Sequence, residues 1–152
     1  MRTWRDGATY AKSARHVSES IQASQAGSWY EWAISRVDSH AFLGRVGLDR
    51  IDREQRTANV GYWVRTGCTR QGIATAAVRL VARLAFEDLD LERLEFVIGV
   101  DNVASRRVAE KAGAILHRPA AAGPAYLVNL RTMLPNFSAA PYAAHVCAPE
   151  AE

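Results

Sequence analysis

Hydrophobic and polar positions change period several times along the 152-residue chain, and each change marks an element. Tyr10, Ala14, Val17 and Ile21 recur at spacings of four, three and four, which predicts an amphipathic helix over 8–26 with Gly27 as its C-cap. Residues 29–35 alternate and are rich in aromatics, as a strand does, and 37–41 supply a turn. A second strand covers 42–51, where Gly44 and Gly47 mark a bulge or a close backbone approach. A charged turn at 52–57 leads to a third strand at 58–64. Three consecutive strands of this kind form an antiparallel meander.

The second half alternates strand and helix. A polar, glycine-bearing loop at 65–71 opens into a helix running from Gly72 to Phe86, with Ile73, Ala76, Ala77, Leu80, Val81 and Leu84 as its expected inner face. Leu94, Phe96, Ile98 and Val100 alternate in a fourth strand. Asp101 and Asn102 supply an N-cap for a helix over 103–112, with Val108, Ala109 and Ala112 inward and Gly113 closing it. Short strands are expected at 114–116 and 126–133, around the Pro- and Ala-rich turn 119–124. Residues 135–152 carry no periodicity and read as a flexible tail beyond a single domain spanning 1–134. Strand–helix–strand units imply parallel neighbours and the meander antiparallel ones. The expected fold is therefore α/β (α+β), a mixed, mostly antiparallel central sheet with helices on both faces.

Composition narrows the function classes. Apolar residues make up 49% and charged residues 23%, ordinary globular values for a chain long enough to bury its own core. No apolar run reaches the roughly 18 residues of a membrane span, and the first residues lack a secretory apolar stretch, so a cytoplasmic setting is expected. Two cysteines, Cys68 and Cys147, and four scattered histidines give no disulfide framework and no metal-ligand spacing. The net charge of +3 comes from evenly spread arginines without a basic block, so no nucleic-acid partner is expected.

Two strand-to-helix junctions can carry chemistry. The first, 65–75, leaves backbone N–H groups unpaired at the positive end of a helix, where small residues let an anion come close. The second, 100–105, offers Asn102, Ser105 and Arg106, which share a helix face at spacings of three and four. In open sheets, ligands settle outside the carboxyl ends of parallel strands, so adjacent third and fourth strands would bring both junctions to one groove. Neither GxxxxGK[ST] nor GxGxxG occurs here, which disfavours nucleotide hydrolysis and nicotinamide chemistry.

Gly61-Tyr-Trp-Val-Arg, Thr69-Arg-Gln-Gly-Ile-Ala-Thr75, Asp101-Asn-Val-Ala-Ser105 and Val108-Ala-Glu-Lys-Ala-Gly113, in that order, resemble the GNAT superfamily of acetyl-CoA-dependent N-acetyltransferases, especially its RimJ/RimL-like branch. The resemblance covers roughly Trp29 to Arg118. It implies acetyl-CoA as cosubstrate, no metal, and transfer of the acetyl group to a primary amine, either a protein N-terminus or a small amine. The backbone N–H groups of Arg70, Gln71, Gly72, Ile73, Ala74 and Thr75 would hold the pyrophosphate, with Thr69 opening the cofactor-binding motif. The backbone of Trp63 and Val64 would pair with the pantetheine arm where two strands splay, and Asn102 and Arg106 would flank it.

The family's Arg/Gln falls on Thr69 and its common glycine on Arg70, while its frequent helix tyrosine falls on Ala109 and its frequent strand glutamate on Asn59. Ser105 becomes the candidate proton donor. Asp49, with Asp52 and Glu54 beside it, is the candidate side-chain base, and Cys68 has no histidine placed to activate it. The family's first strand has no counterpart in the pattern, which reads as an abbreviated N-terminus. An uncovered sheet edge there would favour a homodimer. The alternative reading is a CoA-binding regulatory module that has lost turnover.

Overall fold

A computed structural model of the chain describes residues 10–117, 125–131 and 144–145. The expected helix start at residues 8 and 9, the turn 119–124, the strand end at 132–133 and most of the tail lie outside the described residues.

Ten helices and strands follow one another among the described residues. They are α1 (Tyr10–Gln25), β1 (Tyr30–Ser35), β2 (Phe42–Asp52), β3 (Thr57–Val64), α2 (Ile73–Glu87), β4 (Arg93–Gly99), α3 (Val103–Lys111), β5 (Ile115–His117), β6 (Ala125–Arg131) and β7 (Ala144–His145). The strands form one sheet in the order β5-β6-β4-β3-β2-β1-β7. β3 and β4 run parallel, joined by the α2 crossover, and every other pairing is antiparallel. The mixed sheet expected from the pattern is thus present. β7 corrects one expectation. It lies inside the stretch read as tail and pairs with Ala33 and Ile34 on the outer edge of β1. A two-residue strand is too short to leave a period in the sequence.

The registers divide the sheet into two faces. Tyr30, Leu48 and Val60 form one row and Trp32, Val46 and Tyr62 the next. Ala58 opposite Leu94 carries this apolar face on to Phe96 and Ile98. α2 covers it with Ile73, Ala77, Val78, Val81, Ala82 and Ala85, all buried. The inner face is therefore turned from the one expected, and Leu80 and Leu84 stand at its flank, half-buried. Three alanines explain the rotation, because small side chains let the helix backbone settle close to the sheet. α3 buries Ala109 and Ala112 as expected, with Val108 half-buried.

The opposite face is polar. Glu31, Gly47 and Gly61 make one row, and Ala33, Arg45 and Trp63 another. α1 meets this face through Glu31, which accepts a hydrogen bond from Ser20 Oγ at 2.8 Å and lies 2.9 Å from His16 Nε2. Helices thus cover both faces. Of the expected inner residues of α1, Ile21 is half-buried, and the side chains of Tyr10, Ala14 and Val17 lie outside the described ones.

Candidate functional site: a split between parallel strands

The β3–β4 ladder is short. It pairs Thr57 with Arg93, Ala58 with Leu94 and Asn59 with Glu95, and then stops. β3 continues to Val64 and β4 to Gly99, so the two strands part beyond Asn59. Parallel neighbours that separate in this way expose the edge of β3 from Val60 onward to a ligand able to complete a ladder. The close seat of β2 against β3 helps fix that edge. A Cβ built on Gly44 would stand 2.2 Å from Trp63 O, so only glycine fits there.

The open edge leads into the loop. Arg65 N–H donates to Leu43 O, and a 3-10 turn follows at Thr66–Cys68. Thr69 closes that turn, its hydroxyl donating to Thr66 O at 2.9 Å, so its side chain serves the loop itself. Arg70 then sits at φ 61 and Gly72 at φ 79, both left-handed. The glycine-like conformation persists at Arg70 even though a side chain is present, and the cost to an L-residue is about 1–2 kcal/mol. Gly72 is the N-cap of α2, and the first helical bond runs from Ala76 N–H to Gly72 O. The amides before Ala76 in the first turn have no helical acceptor. A Cβ on Gly72 would meet nothing within 4 Å, so its surroundings are open, and no acidic residue stands in the first turn. Such an N-terminus favours an anion.

The second junction is built by a cap. Asn102 Oδ1 accepts Ser105 N–H at 3.0 Å and starts α3. Arg106 follows, half-buried on the same side of the helix. α3 is tied to β3 through Tyr62, whose hydroxyl donates to Ser105 O at 3.1 Å. Burial pushes the Tyr62 phenol above its ordinary value.

Asp49 stands at the foot of the split. It faces Asn59 across the β2–β3 pair, and Asn59 Nδ2 donates to Asp49 Oδ1 at 2.8 Å. Asn59 faces Glu95 in turn, so Asp49, Asn59 and Glu95 form the last rung before the strands part. β2 bulges immediately afterwards, with Arg50 at φ 50. Asp52 does not join this rung. It accepts Gln55 N–H at 2.9 Å and shapes the turn, where Glu54 is exposed.

A match to the acetyltransferase (GNAT) domain covers residues 1–115. The chain belongs to the GNAT family. Among curated relatives, it is 37% identical over 73 residues to YdaF of Bacillus subtilis, provisionally named a ribosomal N-acetyltransferase, covering 48% of this chain and 40% of YdaF. It is 34% identical over 100 residues to the same organism's "Probable N-acetyltransferase YjcK", covering 65% of this chain and 55% of YjcK. The chain thus spans about half the length of the curated relatives it matches. Mycobacterium smegmatis RimJ in complex with CoA-disulfide shares the fold, with a TM-score of 0.75 at 21% identity over 86% of this chain and 66% of its own.

The GNAT match begins at residue 1, well before Trp29, where the motif resemblance starts. Two features were not legible in the sequence. The first is the contact of Tyr62 with α3, which follows only once the apolar face of β3 is known, although Tyr62 itself lies in the Gly61-Tyr-Trp-Val-Arg string. The second is the buried ion network around Glu31, whose side chain is 12% exposed and is held by Ser20, His16 and Arg45. Burial lowers the Arg45 guanidinium pKa, with Asp49 opposing the shift. Burial and then Arg45 keep His16 below its usual value. Among the described residues, no group of three His, Cys, Asp or Glu could hold a metal, and no helix is long and apolar enough to cross a membrane.

Proposed function

We propose that this GNAT chain transfers an acetyl group from acetyl-CoA to a primary amine, a protein N-terminus or a small amine, by direct attack in a ternary complex. The observation that carries this reading is the early end of the β3–β4 ladder at Asn59 and Glu95, with an open helix N-terminus at the far end of the same groove. The amides of residues 70–75 hold the pyrophosphate, and the Arg70 charge adds to them. Thr69 fixes the turn that presents them, the backbone of Trp63 and Val64 runs along the pantetheine arm, and Asn102 and Arg106 flank it. That RimJ takes CoA as its disulfide supports the choice of ligand.

The chemistry asks little of side chains. An α-amine has an ordinary pKa of roughly 8 and a thiol of about 8.5, so neither deprotonating the nucleophile nor releasing the thiolate needs a strongly perturbed group. Positioning supplies much of the rate. Asp49, on the last rung, accepts the proton that the amine loses, and Ser105 serves the leaving sulfur.

Calorimetric titration with acetyl-CoA tests the reading: saturable binding is expected, and no heat at millimolar cofactor would sink it. Asn59 and Ala109, which stand where the family often carries glutamate and tyrosine, favour one second reading, a CoA-binding module without turnover. Thiol release with a panel of amines separates the two, because the module binds acetyl-CoA and releases nothing.

A further inference from the structure

We propose that Tyr62 is a catalytic residue, whose phenol donates a hydrogen bond to the sulfur of CoA as the thioester breaks. The inference rests on the acetyltransferase reading above and assigns a role that the chain's motifs do not.

Three placements carry it. Tyr62 lies three residues past the last β3–β4 rung, on the part of β3 whose outer edge is open. Its ring occupies the apolar face, beneath α3, and its hydroxyl reaches Ser105 O at 3.1 Å. The phenol therefore crosses from one wall of the split to the other, at the helical turn that carries Ser105. Four residues along the same face of α3, Ala109 is fully buried and brings no polar group. Ser105 and Tyr62 thus set two hydroxyl-bearing residues against a single turn.

The present acceptor of the phenol is replaceable. Ser105 O lies within the helix, where the ladder from residue 109 also reaches it, so it stays satisfied when the phenol turns away. A thiolate formed beside this turn is a stronger acceptor than a carbonyl already in use, because hydrogen bonds to charged partners are roughly twice as strong. A burial-raised pKa keeps the phenol protonated over the working range. In the transfer, the C–N bond forms, the C–S bond breaks and its electron pair stays on sulfur. The amine's proton leaves through Asp49 to solvent. The sulfur, held by the Tyr62 O–H, takes up one solvent proton as CoA departs, so protons balance.

The test compares wild type with Tyr62→Phe, and with 3-fluorotyrosine placed at residue 62, using acetyl-CoA and the amine that gives the fastest thiol release. Tyr62→Phe is expected to lower kcat at least tenfold while the Kd for acetyl-CoA changes less than twofold. The fluorinated phenol, more acidic but almost the same shape, is expected to restore kcat and shift its alkaline limb to lower pH. An unchanged kcat in Tyr62→Phe overturns the proposal, as does a loss of binding that accounts for the whole loss of rate. If Tyr62→Phe does not fold, an unmoved alkaline limb in the fluorinated protein overturns it. Wild type that binds no acetyl-CoA fails the acetyltransferase reading itself, which is a separate result.

Discussion

Gly72→Ala separates the stability of the cradle from its use. Gly72 is left-handed at φ 79, and a Cβ there would meet no atom within 4 Å. The substitution therefore creates no clash, and its cost to the fold is conformational. An L-residue pays about 1–2 kcal/mol in this region. Replacing glycine returns about 0.4–1 kcal/mol by restricting the unfolded chain. The net loss is about 1 kcal/mol, which for a chain of this size lowers Tm by about 2–4 °C.

Binding should suffer more. On the proposed function the open space around Gly72 is where a pyrophosphate would approach the first-turn amides, and a hydrogen bond from an amide to a charged group contributes about 1.5–3 kcal/mol. Pushing the anion off one such donor raises Kd for acetyl-CoA at least tenfold, or about 1.4 kcal/mol. Thermal unfolding without ligand gives the first quantity and calorimetry the second. The expected Tm drop with a wild-type Kd would refute the argument, because the amides would then not be the cradle. Gly44→Ala is the contrasting control. Its Cβ would stand 2.2 Å from Trp63 O and 2.9 Å from Val64 Cα, so it should break the β2–β3 pair and cost the fold itself.

Asp49→Asn keeps the size of the side chain and removes the proposed proton acceptor at the split, so kcat should fall at least tenfold at neutral pH with acetyl-CoA binding unchanged; equal kcat by thiol release would remove Asp49 from the reaction. Glu31→Ala strips Arg45, Ser20 and His16 of a shared partner, and because Arg45 is partly exposed the loss is about 2 kcal/mol, read as a Tm drop of about 4–8 °C. His16 has a folded pKa below its ordinary value of 6.5, so the unfolded chain takes up its proton first as pH falls. Its contribution to stability is present above pH 6.5 and is lost through the window just below it. His16→Gln should flatten the dependence of Tm on pH between about 7 and 5, and an unchanged slope would show that His16 does not drive it.

Period made most of the fold legible. Three strands, two helices and a fourth strand follow from it because each buries one face. The α2 face was legible at Ile73, Ala77 and Val81 but not at Val78, Ala82 and Ala85, where two alanines carry weak hydrophobic signal yet fix how closely the helix sits. The loop was legible through Gly72, but the conformation of Arg70 was not, because a left-handed arginine is set by its neighbours and not by its own preference. Asp49 could be named from its place near the end of β2, but its bond to Asn59 depends on register, and register appears only when strands pair. Nothing in the sequence singles out Glu31. Its burial comes from Ser20 and His16, eleven and fifteen residues earlier, on a helix that folds back over β1.

The split itself follows from how β3 divides its two edges. Apart from the bulge of β2 between Asp49 and Asp52, β3 stays paired with β2 from Thr57 opposite Asp52 to Val64 opposite Gly44. Its other edge holds β4 over three residues only. β4 does not go unpaired beyond that point, since β6 accompanies it from Arg93 to Gly99. Each parting strand therefore keeps one full ladder on its far side, and the gap opens without either strand losing its support. The pin at the closed end is Arg56, which pairs with Asp90 and Glu92 and donates to Asp90 O at 2.8 Å, binding the β2–β3 turn to the entry of β4. A groove built this way is closed at its foot, where Asp49 and Asn59 stand, and open toward the start of α2. On the proposed function that is the order a long cosubstrate needs, with its reacting end held by the sheet and its charged end by a helix terminus.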